Sequence, residues 1–420
     1  MRGREDEDAC AKCRPADGRW QAPGSLGDGF GWCRARRGAA ILGGMVSARS
    51  LYAIGLFYAA YFAAMGVILP FFPVWLAGRG LDVAQVGLFT GLLSVAKVLA
   101  PPLAGRALDR ARRVSGFIVA AGLAAAGLAL AMPWADAPWM LALTVLAFGC
   151  LWAVVLPLTD GLSVAVSEAA LAEYGRLRVW GSVGFVAASL AGGVWLADGR
   201  AAALPWWLAA LLLVTALAAL GFPERGARLE TAGEPRTAYA ASFAGLLVAS
   251  FLMQASHGAY YGFYSLYLLE LGWDGWMVGS FWVLGVLAEI VLMWGWSRPV
   301  AAAAPARMLS LCLALAALRW TGIGLARSVW ALALLQLLHA ASFAAFHINA
   351  ITWVRRYAPE ARQVSAQGWY AAAGFGAGAA LGVMACGQVV RAWGFSWAFL
   401  ACSGVALAGI PVAMRLRPAP

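Results

Sequence analysis

Apolar stretches of about 20 residues recur from Leu51 onward, each long enough to cross about 30 Å of hydrocarbon. They predict twelve membrane spans. Six lie at 51–76, 84–104, 114–133, 138–166, 176–197 and 203–222; six more lie at 241–269, 276–297, 306–325, 328–351, 364–390 and 395–414. The segment 223–240 interrupts the pattern with Glu224, Arg225, Arg228, Glu230, Glu234 and Arg236. It reads as a cytoplasmic linker between two six-helix bundles, 49–222 and 241–416. Residues 1–48 are polar, Gly- and Arg-rich and aperiodic, with no apolar core long enough for a signal peptide. Met45-Val-Ser-Ala-Arg-Ser-Leu51 reads like the opening of a membrane protein. The tail before it is therefore expected to be disordered, or to follow from a start codon placed too far upstream.

Composition agrees with the pattern. Of 420 residues, 62% are hydrophobic and 12% charged, with a mean hydropathy of +0.74. A soluble domain of this size could not hide that much apolar surface. The net charge of +11 does not point to nucleic acid, because the arginines sit in loops between spans. Arg106, Arg110, Arg225, Arg298, Arg355 and Arg415 all fall on one side, and that asymmetry places both termini in the cytoplasm of a multi-pass inner-membrane protein. Trp134, Trp139, Trp206, Trp273 and Trp330 fall at span ends on the other side, as an interfacial belt does. Of seven cysteines, Cys10, Cys13 and Cys33 lie in the tail and lack a fourth ligand, so no metal and no cofactor are expected. The chain is expected to act as a monomer in the lipid bilayer.

The chemistry then rests on the few polar residues inside spans. Asp160 and Arg178 each lie nine residues from Ala169, the bend of a helical hairpin, which puts them level at roughly 13 Å up their helices. Two opposite charges at one height offset a cost of about 3 kcal/mol each. They are either a staple between helices or a polar site facing a water-filled cavity. The only lysine within a span is Lys97. An internal repeat with an offset of 192 residues pairs Gly80-Leu81-Asp82 and Gly87 with Gly272-Trp273-Asp274 and Gly279, and it maps Lys97 onto Glu289. Glu289 is the repeat counterpart of Lys97, and two arrangements stay open: the pair forms when the two halves close, or Lys97 is free. Two parallel halves with a site at their interface is the major facilitator plan. All three histidines, His257, His339 and His347, lie within spans. Gln254, His257, Tyr260, Tyr261 and Tyr264 form a stripe at helical spacing, read as a wet face rather than as core packing.

These residues carry a family resemblance. Met65-Gly-Val-Ile-Leu-Pro-Phe-Phe-Pro-Val-Trp-Leu76 resembles the first helix of lactose-permease-type proton symporters. Gly105-Arg-Ala-Leu-Asp-Arg110 is similar to the facilitator loop signature, which implies a gating role for Asp109 and Arg110. Asp160, Arg178, Gly181 and Phe185 match that type's sugar-site carboxylate, arginine, glycine and stacking aromatic. Glu289, Arg319 and His339 match its helix-8 carboxylate, helix-9 arginine and helix-10 histidine. The departures are Ser342, where that type carries a proton-carrying glutamate, the added Lys97, and Phe185 in place of Trp. The phenylpropionate permease family has those same differences. The chain resembles it over residues 49–414, through Gln254-Ala-Ser-His257-Gly-Ala-Tyr-Tyr-Gly-Phe263, Leu318-Arg-Trp320, Leu338-His339-Ala-Ala-Ser342-Phe343 and His347.

The resemblance implies an all-α membrane protein of the major facilitator fold, a secondary active transporter working by alternating access with proton coupling. No phosphate-binding G-x-x-x-x-G-K-[ST] run points to an ATPase. No nucleophile–base pair or metal-ligand cluster points to an intramembrane enzyme. Two substrates stay open. An aromatic acid similar to 3-phenylpropionate would use Lys97 as counter-ion, with Phe185, His257, Tyr261 and Tyr264 about the ring. A sugar or nucleoside would use Asp160 and Arg178 as a hydroxyl clamp. The first reading needs Lys97 free; its neutralisation by Glu289 would favour the second. Glu289, Arg319 and His339 are the expected proton-coupling group.

Overall fold

The computed structural model describes residues 48–108, 114–166, 171–195, 200–222, 240–359 and 362–417. The tail, the linker, Asp109 and Arg110, and Cys10, Cys13 and Cys33 lie outside the described residues. The remainder, Ala48–Pro420, gathers into one compact unit. Among the described residues it is helical throughout, without a strand.

Each expected span is a helix. The first half comprises α1 (Ala48–Gly78), α2 (Val83–Leu108), α3 (Val114–Ala131), α4 (Pro138–Val166), α5 (Leu171–Trp195) and α6 (Leu204–Ala219). The second opens with α7, in two arms, Ala240–Ser256 and Gly258–Glu270, and continues with α8 (Gly275–Ala302) and α9 (Pro305–Leu325). In α10, α-helical arms Val329–Leu337 and Phe346–Tyr357 flank a π-helical turn, Ala340–Ala345. In α11, Gln363–Ala371 and Ala379–Trp393 flank another, Ala372–Gly378. Helix α12 (Phe395–Met414) ends the bundle. Eleven helices, among the described residues, are long and apolar enough to cross a membrane unbroken. The twelfth is α7.

Read as one span in the sequence, α7 breaks at His257, and the cause is local. Ser256 Oγ donates to the Met253 carbonyl at 2.6 Å, and His257 Nδ1 bonds the same carbonyl at 2.8 Å. That oxygen would otherwise serve the helix, so the His257 amide turns to the Gln254 carbonyl instead. Side chains competing for a backbone acceptor bend helices in this way.

The internal repeat has a physical basis. Gly80 and Gly272 have φ of 80° and 84°, a left-handed conformation that glycine adopts without strain and that ends the preceding helix. Two residues on, an aspartate caps the next helix. Asp82 Oδ1 accepts from the Gln85 amide at 2.8 Å, and Asp274 Oδ1 accepts from the Met277 amide at 2.9 Å. Each cap contributes about 1 kcal/mol. Gly-x-Asp is thus a helix stop followed by a helix start, used once in each half.

The halves make their closest backbone contacts at the end of the bundle away from the two ends of the helical chain, and α2 follows α11 further along, as far as Val98 against Gly376. At that end α5 crosses α8 so closely that a Cβ on Gly279 would lie 2.5 Å from the Ser189 carbonyl oxygen, and one on Gly193 would lie 2.5 Å from that of Gly275. Helix α2 approaches α11 in the same way, Gly87 against Gly387. Membrane helices associate through such close backbone contact, because lipid removes the hydrophobic drive.

Candidate functional site

In the first half the site is built on α1, α4 and α5. Arg178 Nη1 donates to both carboxylate oxygens of Asp160, at 2.8 and 3.0 Å. The equal height expected from the hairpin is what the structure holds. Tyr58, on α1, donates its hydroxyl to Asp160 Oδ1 at 2.7 Å. The Arg178 guanidinium lies over the Tyr58 and Phe62 rings, at 5.7 and 5.3 Å. The pair is not sealed: side-chain exposure is 38% for Arg178 and 31% for Asp160. Since Tyr58 is fully buried, the pair faces a cleft inside the bundle rather than lipid. Phe185 lies two turns beyond Arg178 on the same face of α5 and is buried.

In the second half, Arg319 on α9 is fully buried. Its Nη1 donates to His339 Nδ1 at 2.8 Å and to Ser342 Oγ at 3.2 Å, and its Nη2 donates to Gln336. Its guanidinium lies against the Tyr260 and Trp320 rings, at 4.4 and 4.5 Å. A guanidinium only donates, so His339 Nδ1 is an acceptor and the imidazole proton sits on Nε2. From there it faces Glu289 Oε1 at 2.8 Å. Arginine, neutral imidazole and carboxylate thus form a chain across α9, α10 and α8, with the cationic and anionic ends balanced through the ring. The π-helical turn that follows His339 shifts the register of α10 at this point.

Lys97 stands apart. It is half-buried in α2, fourteen residues beyond Val83, as Glu289 is fourteen beyond Gly275, so the repeat does set them at one height. In this structure the two are not paired. Glu289 is turned to His339, and Lys97 makes no ion pair or hydrogen bond with any described residue. The reason lies on the neighbouring helices: Arg319 fixes His339 from one side, leaving its Nε2–H for Glu289.

The aromatic stripe of α7 divides. His257 and Tyr261 stack at 5.4 Å, and His257 lies 6.2 Å from His339 and 6.5 Å from Phe343. Tyr264 turns away and is buried among Phe281, Trp282 and Phe399. The structure therefore brings His257 and Tyr261 to the Arg319–His339–Glu289 chain and places Tyr264 in the packed core. His347 bonds the Tyr370 hydroxyl through Nδ1 at 2.9 Å. Among the described residues no group of His, Cys, Asp and Glu could hold a metal ion.

Two participants were missed in the sequence. Tyr58 was hidden in the uniformly apolar α1, although a tyrosine three residues before another, Tyr61, was a visible signal. Gln336 holds Arg319 and donates to the Phe281 carbonyl at 3.1 Å. An amide three residues before His339, in an otherwise apolar stretch, could have flagged it.

The chain matches the MFS_1 like family over residues 51–401. It is 30% identical over 382 residues to a probable 3-phenylpropionic acid transporter of Escherichia coli (strain K12), covering 87% of this chain and 96% of that one. It is 27% identical over 388 residues to a maltose permease of Geobacillus stearothermophilus, covering 90% and 97%. Among solved structures, a point mutant of the nucleoside transporter NupG superposes with a TM-score of 0.78 at 17% identity, covering 87% of this chain and 99% of that one.

Proposed function

The chain belongs to the MFS_1 like family and is a multi-pass membrane transporter, and from that premise we propose that it carries a small aromatic acid, coupled to protons, by alternating access. The observation that carries this reading is the unpartnered Lys97. Arg178 has Asp160 and Arg319 has Glu289 through His339, so among these described side chains the third cation leaves one positive charge in excess. An uncompensated charge at bilayer depth costs about 3 kcal/mol. A substrate carboxylate is the group that relieves it. The relative named for 3-phenylpropionic acid supports an aromatic acid.

Coupling is assigned to Glu289, Arg319 and His339. Glu289 is the one carboxylate there, and its partner is a neutral imidazole rather than a cation, so protonating it breaks no direct ion pair. With the arginine-rich loops in the cytoplasm, the closed α5–α8 and α2–α11 seams lie outside, and the cleft at Asp160 and Arg178 faces inward.

The part-exposed Asp160–Arg178 pair, together with a maltose permease among the relatives, favours a second reading, a sugar held by its hydroxyls. One experiment separates the two. The purified protein is screened by thermal shift with aromatic acids, disaccharides and nucleosides. The organic-acid reading expects stabilisation by aromatic acids and much weaker stabilisation by their amides. Stabilisation confined to sugars or nucleosides overturns it.

A further inference from the structure

Helices α10 and α11 carry the same short pattern, Ala340-Ala-Ser-Phe343-Ala-Ala and Ala372-Ala-Gly-Phe375-Gly-Ala. In both, the pattern forms a π-helical turn with the phenylalanine as its fourth residue. Such turns are rare and occur frequently at functional sites. Here they aim two rings at each other, with centroids 6.0 Å apart and planes at 74°. Along α10, His339, Phe343 and His347 form a wall of nearly parallel rings, at 5.4 Å and 22°, then 6.2 Å and 11°. Phe375 stands edge-on to His347 as well, at 5.5 Å and 78°. The result is a corner: one ladder of stacked rings and one ring closing it at a right angle.

This corner opens inside the bundle. Phe343, His347 and Phe375 each keep part of their surface exposed, yet they contact one another and His257 of α7 rather than facing lipid. Two polar atoms border it without a partner. His257 Nε2 and Gln254 Oε1 are buried and unbonded, on residues 0% and 4% exposed. Gln254 packs against Gly374, the residue before Phe375. The residue after it, Gly376, lies against Val98, the neighbour of Lys97. The corner is therefore flanked by the stretch of α2 that carries the unpartnered cation on one side and the acid–imidazole chain on the other.

We propose that the corner between the two π-helical turns is the subsite for the substrate's aromatic ring, with Phe343, His347 and Phe375 as its walls, and that it selects aryl acids over saturated acids of the same size. This rests on the organic-acid reading above. A substrate ring in the corner can meet these rings edge-to-face or offset-stacked, both favoured arrangements of aromatic quadrupoles. A saturated ring fills the same volume without that interaction. His257 Nδ1 engages a carbonyl, which only accepts, so Nδ1 carries the proton and the unbonded Nε2 offers a lone pair. A hydroxyl on the substrate ring would satisfy it.

The test compares 3-phenylpropionate with 3-cyclohexylpropionate, in counterflow by proteoliposomes and by thermal shift of the purified protein. The wild type should favour the phenyl acid by about fivefold or more. Phe343→Leu and Phe375→Leu should each cut that ratio by about two- to tenfold, the worth of one aromatic pair, while transport of the cyclohexyl acid persists. Phe375→Tyr, which keeps the ring, should keep the ratio. Continued transport of the cyclohexyl acid shows that the leucine variants fold; a variant that loses it is read through the other leucine variant. If the wild type carries the phenyl acid and both leucine variants retain its ratio, the ring sits elsewhere and this proposal falls alone. If the wild type carries neither acid, the organic-acid reading falls with it.

Discussion

Replacing Lys97 with glutamine tests the charge argument most directly. Lys97 is the one charged side chain of the cleft without a partner among the described residues. Two unit charges 4 Å apart attract by about 4 kcal/mol at an effective dielectric of 20. Desolvating the carboxylate offsets part of this, leaving about 2–3 kcal/mol, or roughly 30- to 150-fold in affinity. Lys97→Gln should weaken binding of 3-phenylpropionate by that factor. Glutamine retains hydrogen bonding at the position, so the loss reports the charge rather than a vacated site. Binding of 3-phenylpropionamide, which carries no charge, should change less than threefold. Isothermal titration of both ligands against both proteins in detergent gives the four numbers needed. The variant should also be at least as thermally stable as the wild type without ligand, because it removes an uncompensated charge at bilayer depth. If Lys97→Gln binds the acid within threefold of the wild type, Lys97 is not the counter-ion.

Three further outcomes follow from the same geometry. Arg178→Ala leaves the Asp160 carboxylate in the cleft without its guanidinium, and uptake should fall by more than about 30-fold while membrane insertion, read by expression of a fluorescent fusion, is kept; near-normal uptake would remove the pair from the mechanism. Glu289→Gln should abolish accumulation driven by an imposed pH gradient yet keep counterflow at more than half the wild-type rate, and a variant that still concentrates substrate would move the proton to His339. Gly279→Val sets its first added carbon 2.5 Å from the Ser189 carbonyl oxygen and should hold the α5–α8 seam apart; a cysteine placed on α8 near Gly275 should then label from that face at least tenfold faster than in the unsubstituted background, and equal labelling would show that the seam is not the gate.

The twelve helices were legible because membrane spans depend on little but length and apolarity, both printed in the chain. The Asp160–Arg178 pair was legible for a similar reason: two helices a few residues apart in sequence fix the relative height of their residues by counting. Lateral position is another matter. The repeat set Lys97 and Glu289 at one height, but pairing also needs approach across the bundle, and that depends on Arg319 and His339, which come from two other helices. The break in α7 was hidden because a serine and a histidine compete for one carbonyl only when their rotamers allow it. Tyr264 shows the same limit. Helical spacing put it on the stripe with His257 and Tyr261, yet Phe281, Trp282 and Phe399 converge on it from α8 and α12.

The charge balance of the cleft also bears on how a proton and an acid could be kept together. On the proposed assignment, with Asp160 and Glu289 ionised and Arg178, Arg319 and Lys97 charged, these five described side chains carry one net positive charge. A proton on Glu289 alone would leave Arg319 and Lys97 both uncompensated, two charges at a depth where each costs about 3 kcal/mol. A monoanion beside Lys97 cancels one of them. Protonation of Glu289 is therefore easier once the acid is bound, and a proton crossing without the acid is disfavoured by the same margin, roughly 100-fold. The fully loaded cleft, with acid and proton, returns to the net charge of the empty one. On the proposed assignment both forms cross the membrane with equal charge, so accumulation follows the pH gradient at about tenfold per unit and is indifferent to voltage. A neutral sugar carried with one proton would instead respond to voltage, which ties the unpartnered lysine of α2 to the energetics of transport.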